Sequence, residues 1–181
     1  MAQLTNKKVA LLVHNYFEQV EFTGPKRALE EAGAEVDVIT ANGEELQGLN
    51  HVDKGDTFTA DMSVEEIAAE EYDAVVIPGG VVNADHLRMS QAARDFVMEM
   101  EATGKLVAAI CHGPWLLVSS GLVRGRKLTS YATIQDDIRN AGGDWVDEEV
   151  VIDGNFITSR EPDDIPAFNQ AITKALSSPG S

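Results

Sequence analysis

Four short runs of strand length constrain this chain most: Val9 to Val13, Val36 with Val38 and Ile39, Ala74 to Ile77, and Leu106 to Ile110. They are apolar throughout rather than alternating apolar with polar. A strand wetted on one face alternates, whereas a strand covered on both faces does not, and that second pattern is typical of a parallel sheet. Helical signals separate the runs. Ala28, Leu29 and Ala32 form a stripe, with Pro25 placed for a first helical turn and Gly33 as the stop. Asp85 to Thr103 reads as one long helix with Leu87, Ala92, Phe96 and Val97 inward, closed by Gly104. Pro114 to Ser120 reads as another.

The remaining segments are shorter. Asn42-Gly43 marks a turn, Leu46 to Ala60 a small hairpin, and Val64 to Ala69 a short acidic helix. Leu128 to Ser130 reads as a short strand, and Thr133 to Asn140 as a helix closed by Gly142-Gly143. Val150 to Thr158 reads as a hairpin on an Asp153-Gly154 turn, and Asp163 to Leu176 as the last helix. No linker, repeat or low-complexity block interrupts this order. The expectation is a single α/β domain over residues 1–176 with a mobile tail at 177–181. Its fold is a flavodoxin-like, doubly wound three-layer sandwich on a mostly parallel sheet.

Sites in such folds gather at the carboxyl ends of the strands. Three of those ends carry unusual residues. After Ile110 come Cys111-His112-Gly113-Pro114, a strand running into a sharp turn and then a helix, which is the layout of a nucleophile elbow. Gly113 is read as the small residue the turn needs. A thiol at the head of a helix meets amides and the positive end of the dipole, which favour thiolate, the reactive form. The alternative is a buried, inert cysteine. His112 is the candidate base, although neighbours in sequence do not face each other on a regular helix. Otherwise it is a structural histidine of the turn.

After Ile77, Pro78-Gly79-Gly80 brings bare amides to the cleft, and Gly80 with the amide of His112 would form an oxyanion hole. A plain turn is the competing reading. After Val13, Glu18 and Glu21 are carboxylates that could act on the thiol, Glu21 being the better candidate and Glu18 reading as solvated surface. Asp85 and His86 open the expected long helix. Asp85 is read either as a helix cap or as the acid that orients His112. Tyr16, Trp115 and Tyr131 are candidate pocket walls that core packing would explain equally well.

Composition excludes several functions. The net charge of -16 argues against a nucleic-acid partner and an acidic membrane surface. One cysteine leaves no internal disulfide and suits a reducing, cytoplasmic setting. The early apolar run is too short for a signal segment or a membrane span. His14, His51, His86 and His112 lack ligand spacing, and no phosphate-loop or dinucleotide fingerprint occurs, so neither metal nor cofactor is expected.

At Ala109-Ile110-Cys111-His112-Gly113-Pro114 the chain resembles the PfpI family of the DJ/PfpI superfamily. The resemblance continues through residues 17–21 (FEQVE), 76–80 (VIPGG), 125–130 (GRKLTS), 141–146 (AGGDWV) and 153–160 (DGNFITSR), in order and over nearly the whole length. It implies a class I glutamine amidotransferase-like sandwich. It implies Cys111 as nucleophile, His112 as its dyad partner, Glu21 as a glutamate sharing a proton with the thiol, and Gly80 as an oxyanion donor. Some members complete the triad with a glutamate from a neighbouring subunit. The matching position here is Asp85, a shorter acid, which implies a homodimer or larger homo-oligomer. The activity implied is that of a stress-related cysteine hydrolase without cofactor, a peptidase or a glyoxalase/deglycase acting on carbonyl adducts or peptides. The alternative is a redox-sensing stress protein or chaperone that uses oxidation of Cys111.

Overall fold

The structure is a computed structural model, which describes residues 4–41, 43 and 45–177. In chain order the elements are β1 (Lys8–Val13), β2 (Phe17–Glu18), α1 (Gln19–Glu31), β3 (Glu35–Thr40), β4 (Glu45–Asn50), β5 (Asp53–Thr59) and β6 (Met62–Ser63). Then come β7 (Ala74–Ile77), α2 (Val81–Leu87), α3 (Gln91–Ala102), β8 (Leu106–Ile110), α4 (Pro114–Ser119), β9 (Lys127–Leu128) and α5 (Gln135–Asn140). The chain closes with β10 (Asp144–Trp145), β11 (Val151–Asp153), β12 (Phe156–Ser159) and α6 (Ile165–Ser177).

The main sheet runs β11-β12-β8-β7-β1-β3-β6, and every pairing in it is parallel except that of β11 with β12. Its five longer strands after β11 follow the flavodoxin-like order, and the reversal of direction falls between β1 and β7. The uniformly apolar runs are explained by layers on both faces. Val9, Leu11 and Val13 join a core with Phe22 and Leu29 of α1 and Phe168 and Ile172 of α6. Ala10 and Leu12 point the other way, into a core with Phe96, Val97 and Met100 of α3. The result is the expected three-layer sandwich. The hairpin of β4 and β5 is antiparallel, and it joins β2 in a separate three-stranded sheet beside the carboxyl end of β1.

Several expected boundaries move. Pro25 is not in a first turn but inside α1, where its missing N–H leaves the carbonyl of Glu21 without its helical donor. The expected helix from Asp85 to Thr103 is two helices. Gly80, at φ 91°, starts α2, and Ser90 starts α3 by accepting the Ala93 N–H on its hydroxyl at 3.1 Å. The acidic segment 64–69 forms two 3-10 turns, the first held by a capping box between Ser63 and Glu66. The hairpin turn is Gly154-Asn155, because Asp153 still pairs with Phe156. The strand expected at Leu128 to Ser130 is the two-residue β9. A 3-10 turn precedes α5, and another delays the start of α6 to Ile165. Asn42 of the expected Asn42-Gly43 turn and tail residues 178–181 lie outside the described residues. Among the described residues no helix is long and apolar enough to cross a membrane.

Candidate active site

The carboxyl ends of β1, β7 and β8 meet in a cleft of about 640 Å³. Cys111 leaves β8 with φ at 64°, a left-handed conformation that costs a non-glycine residue strain. The strain belongs to the cysteine and not to Gly113, whose φ is -50°. Gly113 is needed for a different reason: a β-carbon there would come within 2.6 Å of the Ile77 carbonyl oxygen and 2.9 Å of that of Ile110. Four described non-glycine residues have positive φ, and three of them, Tyr16, His51 and Cys111, line this cleft. Strain held in place at that frequency marks a functional site more than a packing accident.

The sharp turn removes the difficulty of adjacency. His112 Nδ1 lies 3.3 Å from Cys111 Sγ. The imidazole is buried, stacked on Tyr131 at 4.9 Å between ring centres and set edge-on to Trp115 at 5.2 Å. Burial lowers its pKa, so the ring rests neutral. The carbonyl of Cys111 accepts the Tyr131 N–H at 2.8 Å, which ties this stacking partner to the turn. Trp115 also donates its indole N–H to Asp137 at 2.9 Å; it packs partly buried against the core and does not line the cleft, unlike Tyr16 and Tyr131.

Glu21, on the first turn of α1, is fully buried. Its Oε1 accepts the Gly79 N–H at 2.9 Å, while Oε2 takes up no hydrogen bond. Burial first, opposed by the Gly79 N–H and assisted by the charge of Glu18, pushes its carboxyl up to about 8. The carboxyl lies against the thiol of Cys111. Gly79 makes this contact possible, since a β-carbon there would stand 2.6 Å from both Cys111 Cβ and Glu21 Oε1.

Cys111 is 7% exposed and forms the floor of the cleft. Burial and then the negative charge of Glu21 push its thiol up, and hydrogen bonds from the backbone of Gly80 and His112 pull it down. Burial thus opposes the ionisation that the head of the helix was expected to favour. An anion at this depth loses its water, and α4 supplies only six residues of dipole to offset that. The amides expected as an oxyanion hole, those of Gly80 and His112, do face the sulfur.

Asp85 is not brought to His112 within the chain. It is exposed in the last turn of α2, it does not cap that helix (Gly80 holds the cap position), and among the described residues its side chain makes no hydrogen bond or ion pair. His86 instead packs edge-on against His14 at 4.7 Å. Glu18, read from sequence as solvated surface, is half-buried in the cleft wall and accepts the His51 N–H at 3.2 Å. Sequence reasoning missed Asn83. Buried behind Gly79, it donates to the carbonyls of Pro78 and Gly79 at 3.1 and 3.0 Å and accepts the His14 N–H at 2.6 Å, joining two of the three loops. It also missed the hairpin tip at His51 and Val52 and the segment Glu161-Pro162, all of which line the cleft. Among the described residues no cluster of His, Cys, Asp or Glu could hold a metal ion.

Comparison with known proteins places the chain in a family. Residues 7–175 match the DJ-1/PfpI family. A protein named a deglycase from Pyrococcus abyssi is 41% identical over 169 residues, covering 93% of this chain and 99% of its own. Protein/nucleic acid deglycase 2 of Escherichia coli is 41% identical over 174 residues, covering 94% and 98%. Among solved structures, a two-domain protein of Anabaena variabilis with DJ-1/ThiJ/PfpI-like and ferritin-like domains superposes with a TM-score of 0.90 at 42% identity. That match covers 96% of this chain and 49% of the two-domain chain.

Proposed function

The chain belongs to the DJ-1/PfpI family, and from that premise we propose that it is a cofactor-independent deglycase in which Cys111 attacks carbonyl adducts. The carrying observation is the contact of a single thiol with a neutral histidine on one side and a buried carboxyl on the other. Below a pH of about 8 Glu21 holds its proton. In that form it no longer repels a developing thiolate, and its hydroxyl can donate to the sulfur. His112 Nδ1 takes the proton of the thiol as the attack proceeds. A bond forms from Sγ to the carbonyl carbon, and the carbonyl oxygen takes the electron pair. The amides of Gly80 and His112, which face the sulfur, hold that oxygen.

For an amine adduct of a ketoaldehyde the atoms close with one water. The C–N bond breaks and the amine leaves with a proton; water then cleaves the bond from carbon to Sγ, so the remainder departs as a 2-hydroxy acid and the Cys111 thiol is restored. The aldehyde-level carbon is oxidised as the ketone is reduced, so no outside oxidant is required. Asp85 acts on His112 only across an interface between copies, and the reading carries a homodimer or larger homo-oligomer with it. A reducing cytoplasm and a role in stress defence suit a lone thiol and reactive-carbonyl substrates. Peptides are the less favoured substrate.

The test gives methylglyoxal, a glycated amino acid and a fluorogenic peptide to wild type and Cys111→Ser. Turnover of the carbonyl substrates by wild type, lost by at least a hundredfold in the variant, is expected from removal of a nucleophile. Equal rates would overturn the reading. The free Oε2 of Glu21 favours one second reading, a redox sensor in which it meets an oxygen added to the sulfur. Mass gained under mild peroxide at Cys111 alone, with no turnover of any adduct, supports that reading instead.

A further inference from the structure

Two carboxylates besides Glu21, those of Glu18 and Glu161, line the cleft above Cys111. Glu18 stands on the side of α1, half-buried, with its Oε2 held by the N–H of His51. Its charge reaches the floor of the cleft, since it is one of the influences that keep Glu21 protonated. Glu161 also lines the cleft, just after β12, and among the described residues its side chain makes no ion pair. The neighbouring cation is engaged elsewhere: Arg160 donates from Nε and Nη2 to Asp164 and from Nη1 to Asp147. Among the described residues that line the cleft none is a lysine or arginine, and much of the wall between the carboxylates is aliphatic, with Leu49, Val52, Val81 and Val82.

An apolar slot with like charges at its mouth concentrates field lines and raises the local concentration of the opposite charge. The thiol on its floor accounts for chemistry but not for the choice of what enters. We propose that Glu18 and Glu161 select the substrate by charge, admitting carbonyl adducts that retain a cationic ammonium or guanidinium group and disfavouring the same adduct on an anionic carrier. The aliphatic wall fits the methylene stem of such a side chain. Glu18 and Glu161 are specificity residues and take no part in bond making. The inference rests on the reading of Cys111 as the reacting group.

The chain has one cysteine, so labelling is read unambiguously by intact mass. The probes are three methanethiosulfonates carrying a trimethylammonioethyl, a methyl or a sulfonatoethyl group. Each transfers its thio group to Cys111 as a disulfide and releases methanesulfinate. At pH 8 and low salt the rate ratio of cationic to anionic probe is measured for wild type, Glu18→Gln, Glu161→Gln and the double variant. It is normalised to the same ratio for N-acetylcysteine amide, a neutral free thiol. The ratio cancels any change in the ionisation of Cys111 itself, which Glu18 also affects.

The expected normalised ratio in wild type is about tenfold. It falls several-fold in each single variant and approaches one in the double variant, or in wild type near 1 M salt, where the Debye length is about 3 Å. A wild-type ratio near one overturns the inference and leaves Cys111 reactive, so the function proposed above stands. A ratio that survives in the double variant overturns the assignment to these two carboxylates. Failure of every probe to label Cys111 overturns both readings.

Discussion

Glu21 shows how one residue can carry the character of a site. A carboxyl fully removed from water holds its proton far above the ordinary range, because ionisation would leave a charge with one amide donor for company. This has a consequence for stability. In the unfolded chain the group releases its proton near 4.5, and in the folded chain near 8. Between those values the folded state binds the extra proton, so Glu21 makes stability fall as pH rises across that window, by up to about 1.4 kcal/mol for each pH step of one. Buried neutral histidines slope the other way, so the comparison must be between variants. Urea midpoints at pH 5, 6.5 and 8 are expected to show Glu21→Gln gaining on wild type as pH rises. Parallel curves would mean that Glu21 titrates normally. Glu21 was legible as a candidate from its place after the first strand. Glu18 was misjudged, because its burial is created by the hairpin tip at His51, some thirty residues further on.

At the scale of elements, the junction of β8 with α4 depends on close backbone approach. Gly113 packs against the carbonyls of both β7 and β8, and neither can withdraw without breaking the sheet. Gly113→Ala is therefore expected to cost about 1–3 kcal/mol or more, as overpacking does. That lowers the thermal midpoint by roughly 2 to 12 °C in a domain of this size. An unchanged midpoint by calorimetry would contradict the placement of this turn. The strands themselves were legible because they are covered on both faces. Helix ends were less so: nothing in the periodicity from Asp85 to Thr103 announces the break at Ser90, whose capping hydroxyl is an ordinary serine until the chain turns there.

For the whole molecule, the position of Asp85 ties activity to assembly. It is exposed in α2 and has no hydrogen bond to His112 among the described residues. If it serves the reaction, light scattering on a sizing column will give a multiple of 19.5 kDa. Asp85→Asn will then lower kcat at least tenfold with little change in KM, because an orienting acid acts on the histidine and not on substrate binding. A fully active monomer would remove Asp85 from the machinery.

The main parallel strands, the two-sided sheet and the place of Cys111 and His112 at a strand-to-helix junction were determined by sequence alone, because burial on both faces and such a junction leave local patterns. The burial of Cys111 and Glu21, the carboxylates that line the cleft and the hydrogen bonds of Asn83 were decided only by tertiary structure. Each depends on how much water and which opposite charges long-range packing leaves beside a group, and no window along the chain contains that information.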